Sequence, residues 1–409
     1  MPNMLGHGRS KRARISIPGI IKFRKTPFAH AGQGGSSLLL SRRKLTIPLR
    51  QYPSRAGPRR RSWQFSALDT AAIIVFNSAR IGSHRFLPRR GRTLRAFRSF
   101  GRYWIMRIVF VGAVESSKIA LEALIKMARA PALVVTLPPE SAGRHSDFAD
   151  LGAVGRSAGC AVCYTTDINH SAVLEAMASV EPDLTFVIGW SQVCRQPFRD
   201  VARLGTIGFH PAALPRLRGR AVIPWTILRD EDVTGSTLFW LDEGIDTGPI
   251  LLQRLFTVAA DETARSLYAK HTVNLSEMVI EAVALVETDN PPRIEQDHDQ
   301  ASYCARRTAE DGLIDWNASA GAVLRLIRAV GAPYPGAFSI YDGERIRIDA
   351  AVRFENHGRF IGLVGQVQCH SKHGFVVLCG DGECVNVQAW ASSTGRRPPV
   401  HGKFHRYAP

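Results

Sequence analysis

The chain has 409 residues, with 53 Lys+Arg against 35 Asp+Glu and a formal net charge of +18. Residues 1–105 hold 23 bases and a single acid, Asp69, so that quarter carries +22 and the other 304 residues carry −4. The overall basicity is therefore no sign of a nucleic-acid surface on the rest of the chain. No apolar run reaches the ~18–20 residues of a membrane span, and seven cysteines form too sparse and odd a set for a disulfide framework, which fits a reducing, cytoplasmic compartment.

Residues 1–105 lack hydrophobic periodicity. Arginine bursts recur at 42–44, 59–61 and 89–90 between Gly, Pro and Ser. With one acid nothing offsets the repulsion, which predicts a disordered extension. Three accounts of it stay open. Translation beginning near Met106 is favoured, ahead of an Arg-rich targeting peptide and a basic arm for RNA or anionic surfaces.

The texture changes at Met106. Residues 106–112 read as a buried parallel strand ending in Gly112. Ile119, Leu121, Leu124, Ile125 and Met127 suit one face of a helix over 116–130. Strands follow at 132–137, 160–164, 184–189 and 207–210, with helices near 149–158 and 171–180. This βαβ alternation predicts a Rossmann-like parallel sheet with helices on both faces and a ligand crevice at the carboxyl strand ends. A helix over 262–288 is expected to open at Asp261 as its cap. Asp289-Asn290-Pro291-Pro292 marks a boundary, so a catalytic domain is expected over 106–295. A linker helix at 318–330 and five short runs (337–341, 345–352, 360–368, 375–379, 384–390) predict a small OB-like β-barrel within 296–409.

Residues 207–248 are the densest unusual segment. His210 sits at a strand end, where it can act as acid or base near neutral pH. A Pro/Arg/Gly loop follows at 211–220, then a Gly-bracketed acid at Asp246 that could orient the imidazole. A lone His and Asp at this spacing are more often structural. The ordered set is more specific: His210, then Leu214-Pro215-x-x-Arg218-Gly219, then Asp242-x-Gly244-x-Asp246-Thr247-Gly248.

That set resembles the folate-dependent formyltransferases, which include methionyl-tRNA formyltransferase and the N-formyltransferases of nucleotide-linked amino sugars. The resemblance covers roughly 106–390. It implies 10-formyltetrahydrofolate as co-substrate, His210 as general acid/base and oxyanion stabiliser, and Asp246 as its orienting partner. It implies a pterin and formyl-donor site built from Gln192, Val193, Cys194, Leu214, Pro215, Arg220, Asp242, Glu243, Gly244, Ile245 and Asp246, largely through backbone groups; no residue cluster in the sequence calls for a metal. The family Asn that supports the oxyanion falls at Gly208, a catalytic position without a side chain. Loss of one such donor costs ~10²–10³ in rate in acyl-transfer sites. The stretches 306–308, 311–316 and 333–338 look closest to the amino-sugar branch, and the net −4 speaks against a phosphate-binding tRNA surface. The resemblance thus implies transfer to a primary amine on a nucleotide-linked amino sugar. Initiator tRNA is the rival acceptor. A non-catalytic folate- or partner-binding protein, motivated by Gly208, is the rival class, and a formyl-folate hydrolase is a further alternative.

Other motifs read more plainly. Cys160 and Cys163 read as buried strand cysteines, Cys379 and Cys384 as a reduced pair, and His370 and His373 as loop residues. Ala113-Val114-Glu115 after Gly112 excludes a dinucleotide fingerprint. The polar stretch Glu140–Asp147 could line an acceptor site or be a solvated loop.

Overall fold

The computed structural model describes residues 106–144 and 147–405. The extension expected at 1–105 and two residues of the polar stretch, 145 and 146, lie outside them. In chain order the first part runs β1 (Ile108–Val111), α1 (Glu115–Lys126), β2 (Leu133–Thr136), α2 (Leu151–Ser157), β3 (Ala161–Tyr164), α3 (Ser171–Ser179) and β4 (Leu184–Val187). It continues through a single turn α4 (Gln196–Arg199), β5 (Gly205–His210), a two-residue β6 (Arg218–Gly219), α5 (Val222–Leu228), β7 (Val233–Trp240), β8 (Ile250–Thr257) and α6 (Ala264–Val286).

β1, β2 and β4 are four-residue runs of mainly β-branched and aromatic residues, buried on both faces as central parallel strands require. Strand order is β3-β2-β1-β4-β5-β7-β8. The first five are parallel, as the sequence predicts. β7 and β8 add two antiparallel strands that the sequence reading did not foresee. The reason is burial: all of β7 after Val233 is buried, so it shows no alternation to mark it as a strand. β3 is the sheet edge, and Cys163 there is half-buried rather than fully buried as expected, while Cys160 just before it is buried.

Alternation along the strands sends side chains to two cores. Ile108, Phe110 and Phe186 pack with Leu121 and Leu124 of α1 and with Leu275, Met278 and Val279 of α6. Val109, Val111 and Val187 pack with Val173 and Met177 of α3 and Phe198 of α4. The order reverses at β1, whose neighbours are β2 and β4, and open α/β sheets bind ligands outside the carboxyl strand ends at such a point. The segments that follow β4 and β5 carry the candidate site residues.

α6 does not open at Asp261, which is exposed. Thr263 is the cap; its hydroxyl accepts the Ser266 amide at 3.1 Å. The cap moves because the intervening Glu262 turns inward, is buried, and accepts from the Ala259 amide, Ser266 and Lys270.

A short strand β9 (Tyr303–Cys304) pairs with β6. Then comes α7 (Ala320–Val330), capped by Ser319 and ended by Gly331. The second sheet contains β10 (Ala337–Tyr341), β11 (Glu344–Phe354), β12 (Val367–His370), β13 (Phe375–Leu378) and β14 (Cys384–Ala391), all antiparallel in the order β10-β11-β14-β13-β12. Of the strand expected over 360–368 only the end is strand. Residues 403–405 bridge both edges, His405 to Ile340 and Lys403 to Gln366. Val323, Ile327 and Val330 of α7 share one core with Ile346, Ile348, Val377 and Val385, and with Ile223 and Ile227 of α5.

Candidate active site

β5 places Gly208 and His210 two residues apart, hence on the same face. His210 is 4% exposed. Its Nε2 lies 2.7 Å from the Leu217 carbonyl oxygen, which only accepts, so Nε2 carries a proton. Its Nδ1 lies 3.5 Å from Asp246 Oδ2. Both neighbours are acceptors, so only a doubly protonated ring donates to both. The Asp246 separation exceeds a normal hydrogen bond and leaves Nδ1 the less committed nitrogen.

Asp246 is reached by a loop that leaves β7 at Leu241, whose amide donates to Thr206. Asp242 Oδ1 accepts from the Gly244 amide at 3.0 Å and from the Thr247 hydroxyl at 2.7 Å, which closes the turn. Asp246 itself has φ +54°, a left-handed conformation that costs a non-glycine residue ~1–2 kcal/mol and that Asp adopts more readily than most. Its Oδ2 accepts the Gly219 amide at 2.8 Å, and no partner is recorded for Oδ1 among the described residues. The loop after β5 thus supplies two things to the pair: the Leu217 carbonyl for the imidazole and the Gly219 amide for the carboxylate.

Behind this pair lies a polar strut. Gln296 Nε2 donates to the carbonyls of Asp246 at 2.9 Å and Gly248 at 2.7 Å. Its Oε1 accepts from Arg218 Nη2 at 2.7 Å and Nε at 3.2 Å. Arg218 is fully buried. It also donates to the Tyr303 hydroxyl at 2.9 Å and contacts His298 Nδ1 at 3.2 Å.

The family model for formyl transferases matches residues 106–283, and the model for the formyl transferase C-terminal domain matches residues 306–398. The chain belongs to the formyltransferase family. Among curated relatives, a methionyl-tRNA formyltransferase of Syntrophus aciditrophicus is 32% identical over 280 residues, covering 68% of this chain and 89% of its own. One from Acetivibrio thermocellus is 30% identical over 295 residues, covering 71% and 94%. Among solved structures, an N-formyltransferase from Helicobacter canadensis, in complex with folinic acid and dTDP-3-aminofucose, superposes with a TM-score of 0.53. It is 19% identical and covers 69% of this chain and 99% of its own, which speaks for the fold alone.

Within this family fold the structure brings His210, Asp246, Asp242, Gly244 and the Leu214–Gly219 loop together. Glu243, Gly244 and Ile245 are exposed. Arg220 is exposed at the end of that loop, its amide donating to Cys304, and its guanidinium has no partner among the described residues. Gln192 is already engaged: Oε1 accepts from Ile168 and Trp190, and Nε2 donates to Thr166. Val193 is exposed, with its carbonyl accepting from Asn169. Leu214 is buried, its carbonyl taken by Gln253, and Pro215 beside it is half-buried.

Two of the expected site residues offer no usable side chain. Cys194 is buried in the α3–α4 core, burial pushes its thiol up to about 12, and its carbonyl accepts from Arg199; its side chain offers nothing to a ligand. Gly208 has no side chain, as the sequence already shows. A Cβ there would lie 2.6 Å from Leu241 Cδ2 and 3.1 Å from the Phe239 ring. The space beside Gly208 is occupied by the Leu241 methyl and the Phe239 ring.

Leu241, Gln296 and Tyr303 escaped sequence reasoning. Gln296 lies in the polar run 295–300, which reads as a solvated linker, and no local signal separates it from its neighbours. Among the described residues no group of three or more His, Cys, Asp or Glu could hold a metal ion, and no helix is long and apolar enough to cross a membrane.

Proposed function

We propose that this formyltransferase moves the formyl group of 10-formyltetrahydrofolate to a primary amine on a nucleotide-linked amino sugar. The observation that carries the transfer chemistry is the buried His210–Asp246 pair, with Asp246 held by the Gly219 amide. The neutral amine attacks the formyl carbon, the new C–N bond forms, and negative charge develops on the formyl oxygen. When the ring carries a second proton, the less committed Nδ1 of His210 is the donor available to that oxygen, and the unpaired Oδ1 of Asp246 can take the proton the amine sheds. Collapse of the tetrahedral species breaks the bond to folate nitrogen and returns the proton to it. The exposed run 243–245 and the unpaired Arg220 suit a flat, hydrogen-bonding ligand that carries carboxylates. The amino-sugar acceptor is supported by the −4 charge of residues 106–409 and by the bound dTDP-3-aminofucose of the Helicobacter canadensis protein.

A second acceptor, methionyl initiator tRNA, is favoured by the names of the relatives at 30–32% identity. Turnover with 10-formyltetrahydrofolate against a nucleotide-linked amino sugar, a free amino sugar and methionyl initiator tRNA separates the two. Formylation of the tRNA alone would replace the first acceptor by the second. Donor binding without transfer to any of them would remove the enzyme reading.

A further inference from the structure

Arg218 is the largest fully buried side chain of the described residues, and no carboxylate among them pairs with it. A buried guanidinium without a counter-charge is costly, and it persists only where neutral acceptors are arranged around it. Here the acceptors are Gln296 Oε1, the Tyr303 hydroxyl and His298 Nδ1. All three come from the segment between the two matched domains, residues 284–305. Gln296 is itself only 5% exposed, and every polar atom of its amide is used.

The far end of that amide meets the site. Nε2 donates to the carbonyls of both Asp246 and Gly248. The first is the carbonyl of the residue whose carboxylate faces His210 and whose φ is +54°; the second lies two residues on, so both close the turn on the C-terminal side of Asp246. We propose that Gln296 is a positioning residue: its amide ties the Asp246–Gly248 turn to the buried Arg218 and so sets the distance between Asp246 and His210. The inference rests on the formyl-transfer reading only for its kinetic consequence.

The chemistry selects glutamine. One end must supply two N–H groups to two carbonyl oxygens; the other must accept two N–H groups from a guanidinium. Glutamate keeps the second and loses the first, turning a charged oxygen toward two carbonyls. Methionine keeps the volume and loses both. Asparagine is one methylene short of spanning the gap.

The test uses the full chain labelled with ¹⁵N-histidine. Ring-nitrogen shifts of His210 are recorded for wild type, Gln296→Glu and Gln296→Met, assigned by the loss of signals in His210→Ala. Turnover and KM are measured alongside. The expected result is a displaced Nδ1 resonance in both variants. With it goes a fall in kcat of ten-fold or more, while KM for the formyl donor stays within about three-fold. Unchanged His210 shifts together with kcat within two-fold of wild type in Gln296→Met overturn the proposal. A KM increase without loss of kcat also overturns it, because the residue would then serve binding alone. If one variant fails to fold, the other carries both readouts; if both unfold, the double variant Arg218→Met/Gln296→Leu, which removes cation and strut together, takes their place under the same criteria. Displaced shifts in a protein whose wild type forms no product sustain the strut and defeat the transferase reading, so the two can fail separately.

Discussion

Two histidines lie buried on opposite faces of the same sheet. His210 is 4% exposed and His271 is 2% exposed, so burial does not distinguish them. Their neighbours do. His210 has an acceptor at each ring nitrogen, the Leu217 carbonyl and the Asp246 carboxylate. His271, on α6, has Ser236 at Nδ1, the edge-on ring of Phe256 beside it, and no partner at Nε2 among the described residues. Burial, aided by repulsion from His210, pushes His271 down to about 3, against the pull of Glu262. One face gives an imidazole acceptors at both ring nitrogens; on the other, burial keeps the imidazole neutral. Chemistry at this sheet follows the partners of a residue and not its depth.

Removing the active-face imidazole is the strongest test of that contrast. His210→Ala is expected to lower turnover by up to ~10³-fold, the upper end of what the loss of a single oxyanion donor costs. Calorimetry with a formyl-folate analogue should find donor affinity within about three-fold of wild type. Wild-type turnover in this variant would take His210 out of the mechanism. Asp246→Asn should be next, losing ~10²-fold in kcat, because the amide can still accept from Gly219 but no longer takes up a proton.

The opposite face is tested by acid. The folded pKa of His271 lies below the unfolded value of ~6.5, so as pH falls below that value the unfolded chain takes up a proton and the folded one does not. Stability is thereby lost from about pH 6.5 down toward 3, at ~1.4 kcal/mol per pH unit. Urea unfolding of wild type and His271→Phe at pH 7, 6 and 5 should show the wild type falling relative to the variant at about half that slope from pH 7 to 6 and close to it from pH 6 to 5. Parallel pH dependences would break the contrast. The smallest effect is expected at Gly208. Asn there must displace a Leu241 methyl that sits 2.6 Å from the new Cβ, and overpacking of this kind costs ~1–3 kcal/mol. Thermal melting should drop and turnover should not rise. Leu241→Ala in the same chain should restore most of the melting temperature; a rate gain in Gly208→Asn alone would instead mark the missing amide as a defect.

The parallel strands and their helices were legible because each announces itself locally: β1 by its unbroken apolar run, α7 by Val323, Ile327 and Val330 at helical spacing behind Ser319. β7 was silent because both its faces are covered. The same division runs through the site. His210, Asp246 and the Leu214–Gly219 loop share an ordered motif. Gln296 acts through a fold-level meeting with Asp246 fifty residues away, which no local pattern encodes. Gly208 showed what was missing; only packing showed that Leu241 had taken the room.

Residues 403–405 give the second domain a temporal order. They bridge the two outermost strands, and Phe404 between the bridges stacks on Trp316 and packs against Tyr341 and Phe375, with ring centroids 5.5–5.9 Å apart. Every other strand of this sheet leaves the ribosome before them. Until they emerge, β12 and the part of β10 beyond Phe338, which Leu313 already bridges, present open edges and the aromatic core lacks its central ring, so the nascent domain passes through a stage when these edges can capture foreign strands. Stop codons a few residues upstream of Lys403 would make that stage permanent, and their cost would appear as aggregation of a protein whose active-site residues are all still encoded.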